Sequence, residues 1–147
     1  MRICVDTTIL IDILKDEFRE YQGSFYGALE AGKVLVIPVI VFAEILPHFQ
    51  GNSSEASQFL EDHSIQIESL DQKAAAIAAQ RWMSYLKKKA RIVCPHCRAT
   101  LPHKGRVLSD FYIGGFALSH CDALMTRDRG IFKKYFADLK IYNQTHS

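Results

Sequence analysis

The sequence predicts an α/β fold, with a mainly parallel central sheet flanked by helices. Three observations point there. Short apolar or β-branched runs ("RICVD", "VLVIP", "IQIES", "ALMT", "LKIYN") alternate with longer helical segments, the rhythm of strand–helix units. The apolar share of 48% and charged share of 23% are those of an ordinary globular chain. At 147 residues the chain is long enough for one sizeable core and is read as one domain, 1–147.

Each element has a local reason. "RICVD" alternates weakly and ends at Asp6, as a short buried strand does. "TTILIDILKDE" turns helical, with Thr7 or Thr8 as its cap. "EFREYQGSFYGALEAG" is a second helix that Gly32 can end. "VLVIP" is a strand stopped by Pro38, and "VIVFAEIL" is an apolar helix that Pro47 ends or kinks. Asn52 and Glu55 stand at capping-box spacing, so a helix opens at "NSSEASQFLEDH". "DQKAAAIAAQRWMSYLKKK" is the strongest helix, rich in Ala with a Lys run at its C-terminus. "SDFYIGGFALSH" is another, with Ser109 as N-cap; Gly114 and Gly115 either weaken it or permit close packing. "RGIFKKYF" is a last helix between the strands "ALMT" and "LKIYN". No internal repeat or low-complexity segment is present.

Charge is unevenly spread. The net charge is only +2, yet no Asp or Glu occurs from Gln72 to Ser109, a stretch holding half of the 18 Lys and Arg. Cations without interleaved anions are the footprint of a polyanionic partner, nucleic acid first among them; the bland account is a solvated helix end and loop. The longest apolar run, from Val34, is too short to cross a bilayer and is broken by Pro38, and no signal peptide is read. The four cysteines, at 4, 94, 97 and 121, lack disulfide-framework spacing. They read as reduced thiols in a cytoplasmic setting.

Chemistry in open parallel sheets gathers beyond the carboxyl ends of the strands. Asp6 stands at the end of the first strand and Asp128 just past "ALMT". Either alone is explained as a helix cap. Glu44 is harder to dismiss, being the only charge in "VIVFAEIL"; a buried carboxylate needs a partner or a cation, and the bland account places it on the solvent stripe of a half-buried helix. Asp110 is the first acid after the basic stretch. A carboxylate among phosphate-seeking cations repels the substrate unless a metal lies between. Four acids near element ends would form an anionic pocket whose natural occupant is Mg²⁺ or Mn²⁺.

"CVDTTILIDIL", "VIPVIVFAEIL" and "LSDFYIGGFALSHCDALMTRDRGIF" together resemble a PIN domain, and within that superfamily the VapC-type toxins of toxin–antitoxin pairs. No single motif is specific; their order and flanks are. The resemblance runs from Arg2 to about Ile141 and implies a PIN-like three-layer α/β fold. It implies that Asp6, Glu44, Asp110 and Asp128 surround one or two Mg²⁺ or Mn²⁺ ions, with Thr126 positioning a water or ligand. The implied activity is metal-dependent endoribonuclease cleavage, a metal-activated water attacking an RNA phosphodiester. The implied partners are RNA, a cognate antitoxin and a second copy of the chain, with no membrane. Thr8 stands where the family often has Ser or Asn. Asp12 is given a structural role in the first helix. Asp122 is left out, as it precedes its strand.

The connection before Asp110 departs from the family, reading as an insertion at about 90–107 that carries "CPHCRATLPHKGR". Cys94 and Cys97 have zinc-knuckle spacing and His103 is the nearest third ligand, but a closed site needs four. The remainder would come from His120, Cys121 or another subunit; two unmetallated thiols are the alternative. Three other functions compete with the toxin reading. An RNA-processing nuclease outside any toxin system shares its chemistry. An RNA-binding module would use the acids merely as caps. A phosphatase of the haloacid dehalogenase type wants an acid two residues after the strand-end Asp, where Thr8 stands. X-ray fluorescence on the purified protein tests the knuckle: a closed site gives near-stoichiometric zinc, and a signal well below that leaves only thiols.

Overall fold

The computed structural model describes residues 1–88, 96–97, 107–128 and 130–143. Strand β1 (Arg2–Val5) leads into α1 (Thr7–Lys15) and α2 (Arg19–Glu30). Strand β2 (Val34–Pro38) runs into α3 (Val39–Ile45) and a 3-10 turn (Leu46–Phe49). Helix α4 (Ser53–Asp62), strand β3 (Ile65–Glu68) and α5 (Gln72–Lys88) follow. Then come α6 (Val107–His120), β4 (Ala123–Met125) and α7 (Gly130–Tyr135).

The four strands form one parallel sheet in the order β3-β2-β1-β4. Ile3, Cys4, Val5, Leu35, Val36, Ile37, Leu124 and Met125 are all buried. Burial of consecutive residues, whose side chains alternate between faces, means that both faces are covered by helices. The α/β class with a mainly parallel sheet is therefore borne out. Chain order fills the sheet outward from β1 through β2 to β3, then returns to add β4 on the other side of β1. The direction of winding thus reverses between β1 and β4, and ligands of open α/β sheets bind at such a crevice.

Three local expectations are corrected. "LKIYN" is not a strand: Ile141 makes a single parallel bridge to Leu124, through Leu124 N–H to Lys140 O and Tyr142 N–H to Leu124 O. Asp6, rather than Thr7 or Thr8, caps α1, its Oδ1 accepting the Thr7 N–H at 2.9 Å. A carboxylate does this better than a hydroxyl because it also meets the positive end of the helix dipole. Ser109 is not the cap of α6, which already begins at Val107. Other signals agree with the structure: Asn52 caps α4 through the Glu55 N–H, and Gly32 follows α2 with φ +75°.

Helix α6 is the central packing element on its side of the sheet. It packs on β1 and against α3, α5 and α7. Gly114 and Gly115 are there for close approach. A Cβ at Gly114 would stand 2.6 Å from the Phe136 ring, and one at Gly115 would stand 2.5 Å from the backbone oxygen of Ala74 on α5. Beyond them, buried Phe111 packs against Trp82 and Tyr85, with ring centroids 5.4 and 5.5 Å away. Arg81 joins α5 to the far side, gripping Asp138 with two 2.8 Å bonds and donating to Tyr135 O. That grip holds the Asp138 carboxyl below its usual pKa and takes Arg81 out of the free basic set.

Gly115→Ala is expected to destabilise the fold by about 1–3 kcal/mol, because the backbone it meets cannot step aside. Gly23→Ala on α2, where no atom of the described residues lies within 4 Å of the added Cβ, is expected to stabilise by up to ~1 kcal/mol through helix propensity alone. Urea denaturation of the two variants reads both signs.

Candidate active site

Parallel strands put their carboxyl ends at one edge of the sheet. Asp6 follows β1 there and Thr126 follows β4, and a 2.7 Å bond from the Thr126 hydroxyl to Asp6 Oδ2 joins them across the crevice. Both are almost fully buried, at 1% and 2% exposure. Thr8 Oγ1 donates to the same Asp6 oxygen at 2.9 Å. The Asp128 N–H donates to Thr126 Oγ1, and Asp128 Oδ1 accepts the Gly130 N–H, both at 3.1 Å. Asp128 itself is exposed at the rim.

A second chain of contacts brings in the other two acids. Glu44 is half-buried on α3, directly after β2. Its Oε1 accepts the Thr7 hydroxyl at 2.8 Å and its Oε2 accepts the Ser109 hydroxyl at 3.2 Å. Ser109 precedes Asp110, which is 9% exposed in the first turn of α6. Thr7 thus links Asp6, through its N–H, to Glu44, through its hydroxyl; Thr126 joins Asp6 by its own hydroxyl, and Asp110 adjoins through its neighbour. The sequence offers Thr7, Thr8 and Ser109 only as caps. The signal that could have found their second role is two consecutive hydroxyls at the strand end beside a carboxylate.

Asp12 and Arg127 form a further pair that sequence reasoning missed. Asp12 has no exposed surface. Arg127 meets it with two bonds, Nε to Oδ2 at 3.0 Å and Nη2 to Oδ1 at 3.1 Å. Asp12 stands one turn beyond Thr8, and residues four apart share a helix face. That spacing is the available signal.

All the donors in the site are oxygens, the ligands hard cations prefer. Among the described residues, no three His, Cys, Asp or Glu side chains form a ready-made metal cage. Mg²⁺ does not demand one, since it commonly takes one or two carboxylates and fills the rest from water and phosphate. The donor set therefore fits such an ion.

The zinc candidates fare differently. Cys94 and His103 lie outside the described residues, and Cys97 is exposed. His120 closes α6 and Cys121 follows it. Both lie at the far end of α6 from Asp110, roughly 15 Å away at 1.5 Å per residue. His120 Nε2 is engaged by Asp71 at 2.7 Å. The Cys121 thiol is lowered in pKa, first by its hydrogen bond with Cys4 and also by the charge of Arg2. Burial pushes the Cys4 thiol up, in keeping with its place in the core. Asp122 is at this same edge, its Oδ2 accepting the Arg2 N–H at 2.8 Å.

The PIN domain family model matches residues 3–137. The chain belongs to the PIN domain family. Its PIN fold is shared with a chain of the VapBC2 complex from Rickettsia felis bound to promoter DNA, at TM-score 0.69 and 16% identity, covering 97% of this chain and 98% of that one. VapBC-1 from nontypeable Haemophilus influenzae is similar at TM-score 0.66 and 19% identity, covering 97% and 98%. A toxin–antitoxin complex from Klebsiella pneumoniae is similar at TM-score 0.59 and 24% identity, covering 90% and 91%. No curated protein matches this sequence. The PIN-domain likeness read from the sequence motifs is borne out.

Thr126→Val keeps the shape of the side chain and deletes the hydroxyl that joins β4 to Asp6. It is expected to cost about 1.5–3 kcal/mol, the worth of a hydrogen bond to a charged group, with Thr126→Ser recovering most of it. Urea denaturation of the two variants provides the comparison.

Proposed function

We propose that this PIN domain is a metal-dependent endoribonuclease and the toxin of a toxin–antitoxin pair. The observation that carries the reading is the pair Asp6 and Glu44 joined through Thr7 at the carboxyl edge of the sheet, where its winding reverses, with Ser109 bringing the start of α6 to Glu44. Asp6, Glu44, Asp110 and Asp128 would hold Mg²⁺ or Mn²⁺, with Thr126 orienting Asp6. A bound cation of this kind supplies polarisation of the phosphate and an activated water.

The chain's own residues account for the rest. Thr8 and Thr126 donate to the Asp6 carboxylate, and Thr7 and Ser109 donate to that of Glu44, which fixes the orientation of both. Lys87, Lys88 and the cations of the proposed insertion at about 90–107 would draw in the RNA backbone; most of that stretch lies outside the described residues. Lys88 already points its Nζ over Tyr135, 5.6 Å from the ring centroid. The Klebsiella pneumoniae complex supports an antitoxin partner, and we extend the proposal to a homodimer. Among the described residues, no helix is long and apolar enough to cross a membrane; we propose a cytoplasmic setting.

One observation favours a second reading. Asp6 does cap α1, as it would in an RNA-binding module without catalysis. Cleavage of a structured RNA, with and without Mg²⁺ or Mn²⁺, separates the two. The nuclease reading expects cleavage that EDTA abolishes, reduced roughly 100-fold or more in Asp6→Asn and Asp110→Asn, the size of effect that several kcal/mol of lost charge stabilisation produces. RNA bound but never cut supports the binding module. Cleavage undiminished in both variants overturns the four-acid site.

A further inference from the structure

Arg127 sits between Thr126 and Asp128, inside the candidate site, yet its guanidinium is turned to a buried partner on α1. Asp12 has no exposed surface and Arg127 retains about a third of its own. An unpaired carboxylate at that depth would cost several kcal/mol. The planar guanidinium fork meets both its oxygens at 3.0 and 3.1 Å. On its other face the guanidinium lies 4.0 Å from the centroid of the Phe18 ring. Phe18, half-exposed, stands at the turn into α2 with φ +51°, a left-handed backbone uncommon for a bulky residue.

The backbone is tied as well. The Arg127 N–H donates to Thr8 Oγ1 at 3.2 Å, and that hydroxyl in turn donates to Asp6. Thr126 reaches Asp6 directly, and Asp128 N–H reaches Thr126. The tripeptide after β4 is therefore fastened to α1 and its cap through a hydroxyl, a peptide N–H and a guanidinium. Of these, only the guanidinium pair reaches past the first turn of α1, and so fixes the tripeptide's angle as well as its distance.

We propose that Asp12 and Arg127, backed by Phe18, are positioning residues that hold Thr126 and Asp128 in register with Asp6. The affinity of the site for its cation depends on this pair; that part rests on the reading of the acids as a cation site. The register itself does not depend on it.

The test uses the full chain as wild type, Asp12→Asn and Arg127→Lys. Arg127→Lys keeps a charge opposite the buried Asp12 but loses the planar fork, so it remains informative where Asp12→Asn fails to fold. Amide hydrogen exchange at Arg127 and Asp128 is measured against core amides of β1, and Mn²⁺ is titrated by electron paramagnetic resonance. The expected result is exchange at these two amides faster by at least ~10-fold with the core unchanged. Mn²⁺ affinity is expected to be weaker by about 10–100-fold, as for other outer-sphere partners. Wild-type exchange at both amides in folded Arg127→Lys overturns the clamp. A wild-type protein that binds no Mn²⁺ overturns the cation site instead, and the exchange rates then decide the clamp by themselves.

Discussion

The Asp6 carboxylate is the contact on which the rest of the candidate site depends. It ends β1, caps α1 through the Thr7 N–H, and receives the hydroxyls of Thr8 and Thr126. One nearly inaccessible side chain thereby joins the first strand, the first helix and the segment after the last strand. A carboxylate can do this because it accepts several hydrogen bonds at once, and at this depth each is stronger than in water. Its burial is tolerated because donors surround it. Thr7, Thr8 and Thr126 are all arranged relative to this one group.

Two structural devices support that arrangement from opposite sides. On one, α6 is drawn close to α5 by the absence of a side chain at Gly115, while Phe111 anchors the turn carrying Ser109 and Asp110. Ser109 then meets Glu44, which α3 presents directly after β2. On the other, Arg127 and Asp12 bind the segment after β4 to α1. Other polar contacts tie the start of β1 to further segments: Arg2 meets Asp122 just before β4 and Glu68 at the end of β3, while His120 meets Asp71.

Much of this is legible in the sequence, for identifiable reasons. Strands β1, β2 and β4 are short apolar runs with punctuation on both sides, so their existence and parallel class follow from period and spacing. The acids at strand ends can be named because parallel strands share one carboxyl edge. Less visible are the hydroxyls. Thr7, Thr8 and Ser109 have strong local uses as caps, and a cap and an acid-binding hydroxyl look the same in a sequence. Asp12 and Arg127 are 115 residues apart, and neither has a local feature that names the other. The run "LKIYN" has strand composition, but pairs only at Ile141.

The sequence by itself determined the element order, the α/β class, the family likeness and which acids stand at strand ends. These follow from local periodicity, turn chemistry and residue type, which act over a few neighbours. Only the tertiary structure decided which oxygen each hydroxyl serves, that Gly114 and Gly115 admit neighbouring groups rather than weaken a helix, and that Arg127 turns to Asp12. Those outcomes depend on distances between segments far apart in the chain. Such distances are set by how helices pack on a sheet, and no local signal encodes them.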